Sequence, residues 1–324
     1  MKFKLMGCAL LSACILCGCG NESKDDAKYK IGVAQIVEHS SLNTIRDSFK
    51  KQMKVLGYDD KAEIEYKDAG NDQSTLNSIM QKFDGNKMDV IVAIATPTAQ
   101  AAANYRKHMP VVFSAVSDPI GAGLIDDLNK PNLNITGTSD EIQVDQILSL
   151  ALQLNENIKT IGFIYNSSEA NSISNLEKAK AFCKEKNIEI NVSPITSSGE
   201  VKQAADILVS KCDAIFAPND NTIATAMPSL AKVCKDALVP LYTGADSMVQ
   251  DGGFASVGID YKRLGKETAN MVDEILKGKD VKEIPVRVFK EDLNIYVNKK
   301  VMKELNIKLP ESILKNKNLV MMGK

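Results

Sequence analysis

The sequence predicts an α/β protein of two similar lobes, each a doubly wound, mostly parallel sheet, joined by three crossovers. Two apolar runs, Asp89 to Ile94 and Met109 to Phe113, end in small hydroxyl residues and proline and flank an alanine-rich stretch, the pattern of buried parallel strands joined by a helix. The pattern then restarts. Lys159-Thr160-Ile161-Gly162-Phe163-Ile164-Tyr165 matches Tyr29-Lys30-Ile31-Gly32-Val33-Ala34-Gln35, and Gly32 to Gly162 and Pro110 to Pro240 are both offset by 130 positions (162 − 32; 240 − 110). So long a period indicates a duplicated domain and not a solenoid. The last third holds too few elements to enclose a core, so it must complete the two sheets already built.

Along the chain, Met1 to Lys4 is a short basic region, and Leu5 to Gly18 is apolar, of signal-peptide length and too short to span a bilayer. Composition turns polar abruptly after Cys19, a pattern that resembles the bacterial lipoprotein signal. Cys14 fits the same pattern, but Ile15 and Leu16 would then follow it in what should be a polar tether, so Cys19 is the expected lipidation site. A tether over 20–29 leads into a strand at Ile31 to Val37. A polar loop follows, then a helix with Leu42, Ile45, Phe49, Met53 and Leu56 at helical spacing, closed by Gly57. Ala62 to Asp68 reads as a strand, and Leu76, Ile79, Met80 and Phe83 mark the next helix. The two opening strands and a short one near Ile135 to Thr138 complete the first half. In the second half, Cys212 to Asn221 echoes the Asp89 strand and its loop, and Leu238 to Tyr242 echoes Met109 to Phe113. Pro228 should kink or restart its helix. Tyr261 to Lys277 reads as one long helix, Pro285 to Phe289 as a strand, and Leu293 to Leu305 as a strand and helix. The expected division is 30–138 plus 259–285 for the first lobe and 139–258 plus 286–324 for the second.

Composition narrows the function. With 324 residues, 44% apolar and 25% charged, the chain is long enough for two domains. Its net charge of −1 comes from 40 basic and 41 acidic residues with no basic stripe, which argues against a nucleic-acid partner. Past Cys19 only Cys183, Cys212 and Cys234 remain; an odd number without CxxC spacing reads as buried thiols, not a disulfide framework or zinc site. Of the two histidines, His108 reads as a surface residue, while His39 beside Ser40 and Ser41 allows a hydrolase triad to be imagined. There is no GxSxG elbow, phosphate loop, GxGxxG after a strand or HExxH. No catalytic residue, metal or cofactor is expected.

Six loops at strand ends are rich in small polar groups: Gln35 to Ser41, Thr96 to Thr98, Ser114 to Asp118, Asn166 to Ser172, Asn219 to Thr222, and Gly244 to Ser247. Any one of them reads as a turn or a helix cap. Six at matching ends of two sheets exceed what capping requires, and ligands bind at the carboxyl edge of such sheets.

The duplication, the lipoprotein signal and the late return of the chain to both lobes resemble the type I periplasmic binding fold, the substrate-binding lipoprotein of an ABC transporter. Ile94 to Gln100, Phe113 to Pro119, Thr136 to Asp140 and Pro218 to Thr222 are similar to the branch associated with tryptophan and tyrosine uptake. The resemblance covers about residues 28 to 315. It implies a monomer outside the cytoplasm, anchored to the membrane by lipid on Cys19, that hands an amino acid to an ABC permease and its ATPase. The ligand expected is aromatic: tryptophan, tyrosine or phenylalanine. The alternatives are another small ligand such as a branched-chain amino acid or nucleoside, a signalling receptor of the same fold, and last an exported hydrolase. A ligand carboxylate is expected at Thr96 and Thr98, where a helix begins, with Ser117 as a further donor. By analogy with amino-acid receptors of this fold, the ammonium partners are Asp220 and Asp246, with Glu38 and Glu169 as alternatives. Ile36, Val37, Pro97 and Tyr165 are expected to line an aromatic slot. Gln35, Asp118, Asn166 and Asn219 complete the expected site.

Overall fold

The computed structural model describes residues 28–131, 133–290 and 293–323. The expected lipidation of Cys19 lies outside the described residues. Among those described, no helix is long and apolar enough to cross a membrane.

The first half runs β1 (Tyr29–Gln35), α1 (Ser40–Val55), β2 (Ala62–Asp68), α2 (Gln73–Gly85), β3 (Val90–Ile94), α3 (Thr96–Ala103), β4 (Val111–Ser114) and β5 (Ile135–Ser139). All five residues of β3 are buried, as a continuous apolar run in a sheet covered on both faces must be. The second half begins with α4 (Val144–Leu154), β6 (Thr160–Asn166), α5 (Ala170–Lys186), β7 (Glu189–Ile195), α6 (Val201–Val209) and β8 (Ala214–Ala217). It continues through α7 (Asn221–Thr225), α8 (Met227–Asp236), β9 (Leu241–Thr243), α9 (Asp246–Gln250) and β10 (Ala255–Gly258). Pro228 lies in the first turn of α8, so the helix restarts there, where the missing N–H costs nothing.

The remaining chain supplies α10 (Tyr261–Leu276), β11 (Arg287–Val288), β12 (Asn294–Asn298), α11 (Lys299–Glu304), α12 (Glu311–Leu314) and β13 (Leu319–Met322). The first sheet has the order β11-β5-β4-β3-β1-β2 and the second β13-β12-β10-β9-β8-β6-β7. Every pairing is parallel except β10 with β12. This is the two-lobed α/β architecture expected, with one correction at the third crossover. The second lobe was expected to resume at 286, yet Arg287 pairs with Thr138 and Val288 with Ser139, which keeps this strand in the first sheet. Pairing there covers the open edge of β5, and Ile284 and Val286 are buried on the same side.

Glycine marks the duplication at matching places. A Cβ on Gly32 would lie 2.7 Å from the Phe83 ring, and one on Gly162 would lie 2.6 Å from Ile215 Cδ1. In both lobes the first strand thus leaves room for a large side chain packed on the sheet. The second lobe adds edge-to-face aromatic pairs, Phe163 with Phe216 and Tyr242 with Phe254, at centroid distances of 5.4 and 5.6 Å. Cys183, Cys212 and Cys234 are all buried and unpaired among the described residues, consistent with thiols used as small apolar groups.

Candidate ligand-binding site

The carboxyl ends of both sheets face each other across a narrow cavity lined by residues of both lobes. Hydrogen bonds cross from lobe to lobe around it. Asn71 Nδ2 donates to Thr222 Oγ1 at 3.3 Å, Ser174 Oγ donates to Asp118 Oδ2 at 2.8 Å, and the Ser41 and Ser247 hydroxyls are bonded to each other. The lobes are closed.

On the first lobe the sheet order sets the sequence of groups along the wall. His39 and Leu42 follow β1, Thr96 follows β3, Ala115 and Ser117 follow β4, and Asp140 follows β5. Two of these strand ends are strained: Ala95 has φ +77° and Ala115 has φ +56°. Such backbone costs about 1–3 kcal/mol per residue and collects where a site needs it. At Ala95 the distortion begins α3 abruptly. Since Pro97 has no N–H, the helix start offers the N–H groups of Thr96 and Thr98. Both threonine hydroxyls are sealed from solvent with no hydrogen-bond partner among the described residues. Thr96 lines the cavity; Thr98 is fully buried and is not part of the lining.

Ser117 plays a different part from the one expected. Its hydroxyl donates to Asp140 Oδ1 at 2.9 Å and accepts from Asn219 Nδ2 at 2.8 Å, so its hydrogen is committed and it is not a free donor for an anion. Asp140 is the carboxylate at the centre of this cluster, accepting also from Asn219 Nδ2 at 2.8 Å and Tyr261 Oη at 3.2 Å. Burial holds it above the usual carboxylate range, against these donors.

The second lobe contributes Asn171, Asn219, Asp220 and Asn221. Asp220 caps α7 through Ile223 N–H at 2.8 Å and also accepts from Asn166 N–H and Ser172 Oγ. Glu169 collects five donors: both nitrogens of Asn221, the N–H and hydroxyl of Thr222, and Asn171 Nδ2. Burial, then the charge of Asp220, raises Glu169, and burial raises Asp220.

Thr96, Ser117, Asn219 and Asp220 are thus brought together at the cavity, and the other expected residues are not. Gln35 is buried and ties its own loop, donating to Val37 O and Asn43 Oδ1. Ile36 and Val37 belong to the core beneath. Glu38 is exposed on the outer face, paired with Arg46 and accepting from Tyr66. Pro97 is half-buried in the first turn of α3, and Asp118 caps Gly121 N–H while taking the Ser174 bond. Tyr165 packs with Phe163 against the second lobe's core, at 5.8 Å between centroids. Asn166 Nδ2 donates to Thr222 Oγ1 and so braces Asp220's loop. Asp246 opens α9 and faces a separate small cavity, which shares Asp140, Ala245 and Tyr261 with the first. Burial, and further the charge of Asp260, push Asp246 up to about 6.

Sequence reasoning missed the lining residues Leu42, Met248 and Tyr261, and reached His39, Asn171 and Asn221 only as members of the polar loops, without naming them for the site. Asp140 stood at the end of the Thr136 to Asp140 motif; Tyr261, at the first position of α10, carried no signal. The imagined triad does not form: His39 Nε2 lies 3.4 Å from Asn221 Oδ1, and Ser41 is bonded to Ser247.

Residues 30–321 match the family described as ABC transporter substrate binding protein. The chain is 38% identical to a tyrosine-binding protein of Clostridioides difficile (strain R20291), over 94% of this chain and 90% of the relative. It superposes with a TM-score of 0.85 on an ABC domain from Streptococcus pneumonia in complex with L-Trp, at 37% identity, covering 90% of this chain and 99% of the other. A ligand-free, open substrate-binding protein with adhesive properties from Clostridium difficile gives 0.70 at 36% identity, covering 91% and 99%. At nearly equal identity, the higher score for the ligand-bound structure agrees with the interlobe hydrogen bonds found here. Matching architecture and a family match across nine-tenths of the sequence lead to one conclusion: this chain belongs to the ABC transporter substrate-binding proteins.

Proposed function

We propose that this substrate-binding protein takes up an aromatic amino acid, tryptophan or tyrosine before phenylalanine, between its lobes and presents it to an ABC permease with its ATPase. The observation that carries the reading is the polarity of the cavity. The uncommitted Thr96 hydroxyl at the start of α3 suits a carboxylate; Asp140 and Asp220 suit an ammonium; Leu42, Ala224 and Met248 suit an apolar side chain. The 38% identity to a tyrosine-binding protein and the likeness to an L-Trp complex support the same ligand class. Asp140 replaces Asp246 as the second ammonium partner, because Asp246 faces the neighbouring cavity. Lipid on Cys19 would tether a monomer to the outer face of the membrane, which fits the composition of residues 1–26.

A thermal-shift panel of amino acids tests the ligand class. Tryptophan or tyrosine at a hundred times its Kd should stabilise the protein by about 2.7 kcal/mol, while leucine, alanine and nucleosides should not. A shift with leucine or a nucleoside and none with the aromatics would replace the aromatic reading by another small ligand of the same fold.

A further inference from the structure

We propose that His39 presents an acceptor-only nitrogen to the ligand's side chain, so that the site selects aromatic side chains that carry an N–H or O–H. The assignment rests on the aromatic amino-acid reading and names the group that discriminates within it.

A chain of hydrogen bonds fixes the His39 tautomer. Glu169 is a buried carboxylate whose two oxygens each receive a backbone N–H, from Asn221 and Thr222 at 3.1 Å. The Asn221 side-chain nitrogen donates to the same carboxylate at 2.6 Å, which turns its Oδ1 toward His39. An amide oxygen only accepts, so His39 Nε2, at 3.4 Å, must carry the hydrogen. Burial keeps the ring neutral, with its pKa lowered to about 4. In a neutral imidazole with hydrogen on Nε2, Nδ1 is unprotonated and accepts. This nitrogen is sealed from solvent and has no partner among the described residues, although the ring lines the cavity. A buried acceptor without a donor is costly, and a ligand donor removes that cost.

Sheet order decides which part of the ligand reaches it. Thr96, Ser117 and Asp140 follow β3, β4 and β5, whereas His39 follows β1, on the far side of β3 from β4 and β5. With strands about 4.8 Å apart, β1 and β5 are roughly 14 Å apart at the sheet edge. An α-carboxylate and α-ammonium held at the β3 to β5 end direct the side chain toward β1, where Leu42 and His39 wait. Since Asn221 belongs to the opposite lobe, the tautomer is set only when the lobes close.

Titration calorimetry on the wild type and His39→Leu tests this, using tryptophan against benzothienylalanine, in which sulfur replaces the indole N–H, and tyrosine against phenylalanine. Wild type should bind the donor-bearing member of its preferred pair at least about tenfold tighter. In His39→Leu the two members of that pair should bind within about twofold of each other, with the donor-free ligand no weaker than in wild type. Equal binding of both members of each pair by wild type overturns the assignment and leaves the aromatic reading standing. Retained discrimination in a folded His39→Leu overturns it as well. If that variant does not fold, the wild-type comparison alone decides. Absence of binding by all four ligands overturns the aromatic reading and the assignment with it.

Discussion

Asp140 and Asp220 are buried acids with no cationic partner among the described residues, an arrangement that burial resists unless something positive is meant to join them. Replacing Asp140 by Asn should therefore weaken amino-acid binding by at least about tenfold, since an ammonium would lose its buried partner. Asp220→Asn should do the same while still capping α7, because asparagine caps as well as aspartate. Calorimetry on both variants checks this; wild-type affinity in the two would remove the ammonium from this end of the cavity. At this scale the sequence was only partly legible. Asp220 and Asp246 both stand in small polar loops at strand ends, yet Asp220 lines the cavity and Asp246 faces its neighbour. Residue types that bind ligands also cap helices and close turns, and only the direction of each side chain separates the uses. Tyr165 illustrates the same point: strand alternation puts it on the face of Phe163, toward the core.

Among the elements, α10 shows how the late chain is locked to the first lobe. A Cβ on Gly265 would lie 2.3 Å from the carbonyl oxygen of Ile45 in α1, so the two helices meet backbone to side-chain-free backbone. In an exposed helix Gly→Ala would gain about 1 kcal/mol from propensity. Here the clash is with backbone, which cannot swing aside, and overpacking of about 1–3 kcal/mol should outweigh that gain. Gly265→Ala is expected to lower stability in urea denaturation; an unchanged or higher midpoint would mean that α1 and α10 can separate freely. The regular elements were readable because periodicity reflects burial: β2 and α10 fall where alternation and 3.6-residue spacing put them. β13 was not, and β11, read as a strand over Pro285 to Phe289, was given to the wrong sheet. A two-residue strand has no period, and its place depends on an open sheet edge more than a hundred residues earlier. The Ala95 and Ala115 strain escaped reading too, since alanine carries no turn signal.

The whole molecule is a pair of lobes whose closure half-buries His39 between them, with its Nδ1 shut off from solvent. In the closed form its pKa is lowered to about 4, whereas a solvated imidazole titrates near 6.5. The folded value lies below the unfolded one, so this contribution to stability is intact above pH 6.5 and is lost as pH falls toward 4. The loss is on the order of 3 kcal/mol in that window. The raised carboxylates Asp140, Glu169, Asp220 and Asp246 work in the opposite direction, so the comparison should be made with His39→Gln, which keeps them. Wild type should lose more melting temperature than His39→Gln between pH 7 and pH 4.5; parallel profiles would mean that His39 is not sealed in solution.

On the proposed reading, one aromatic amino acid is held whole in this cavity by both lobes at once, its charged end at α3 and Asp140 and its ring among Leu42, Met248 and His39. Titration calorimetry of the wild-type protein with tryptophan and tyrosine at several temperatures tests it most directly. The account predicts saturable binding of one ligand per chain, with a negative heat-capacity change from burial of the ring. Absence of saturable binding by either amino acid, or binding whose affinity survives removal of the α-carboxylate or the α-amine, would contradict it.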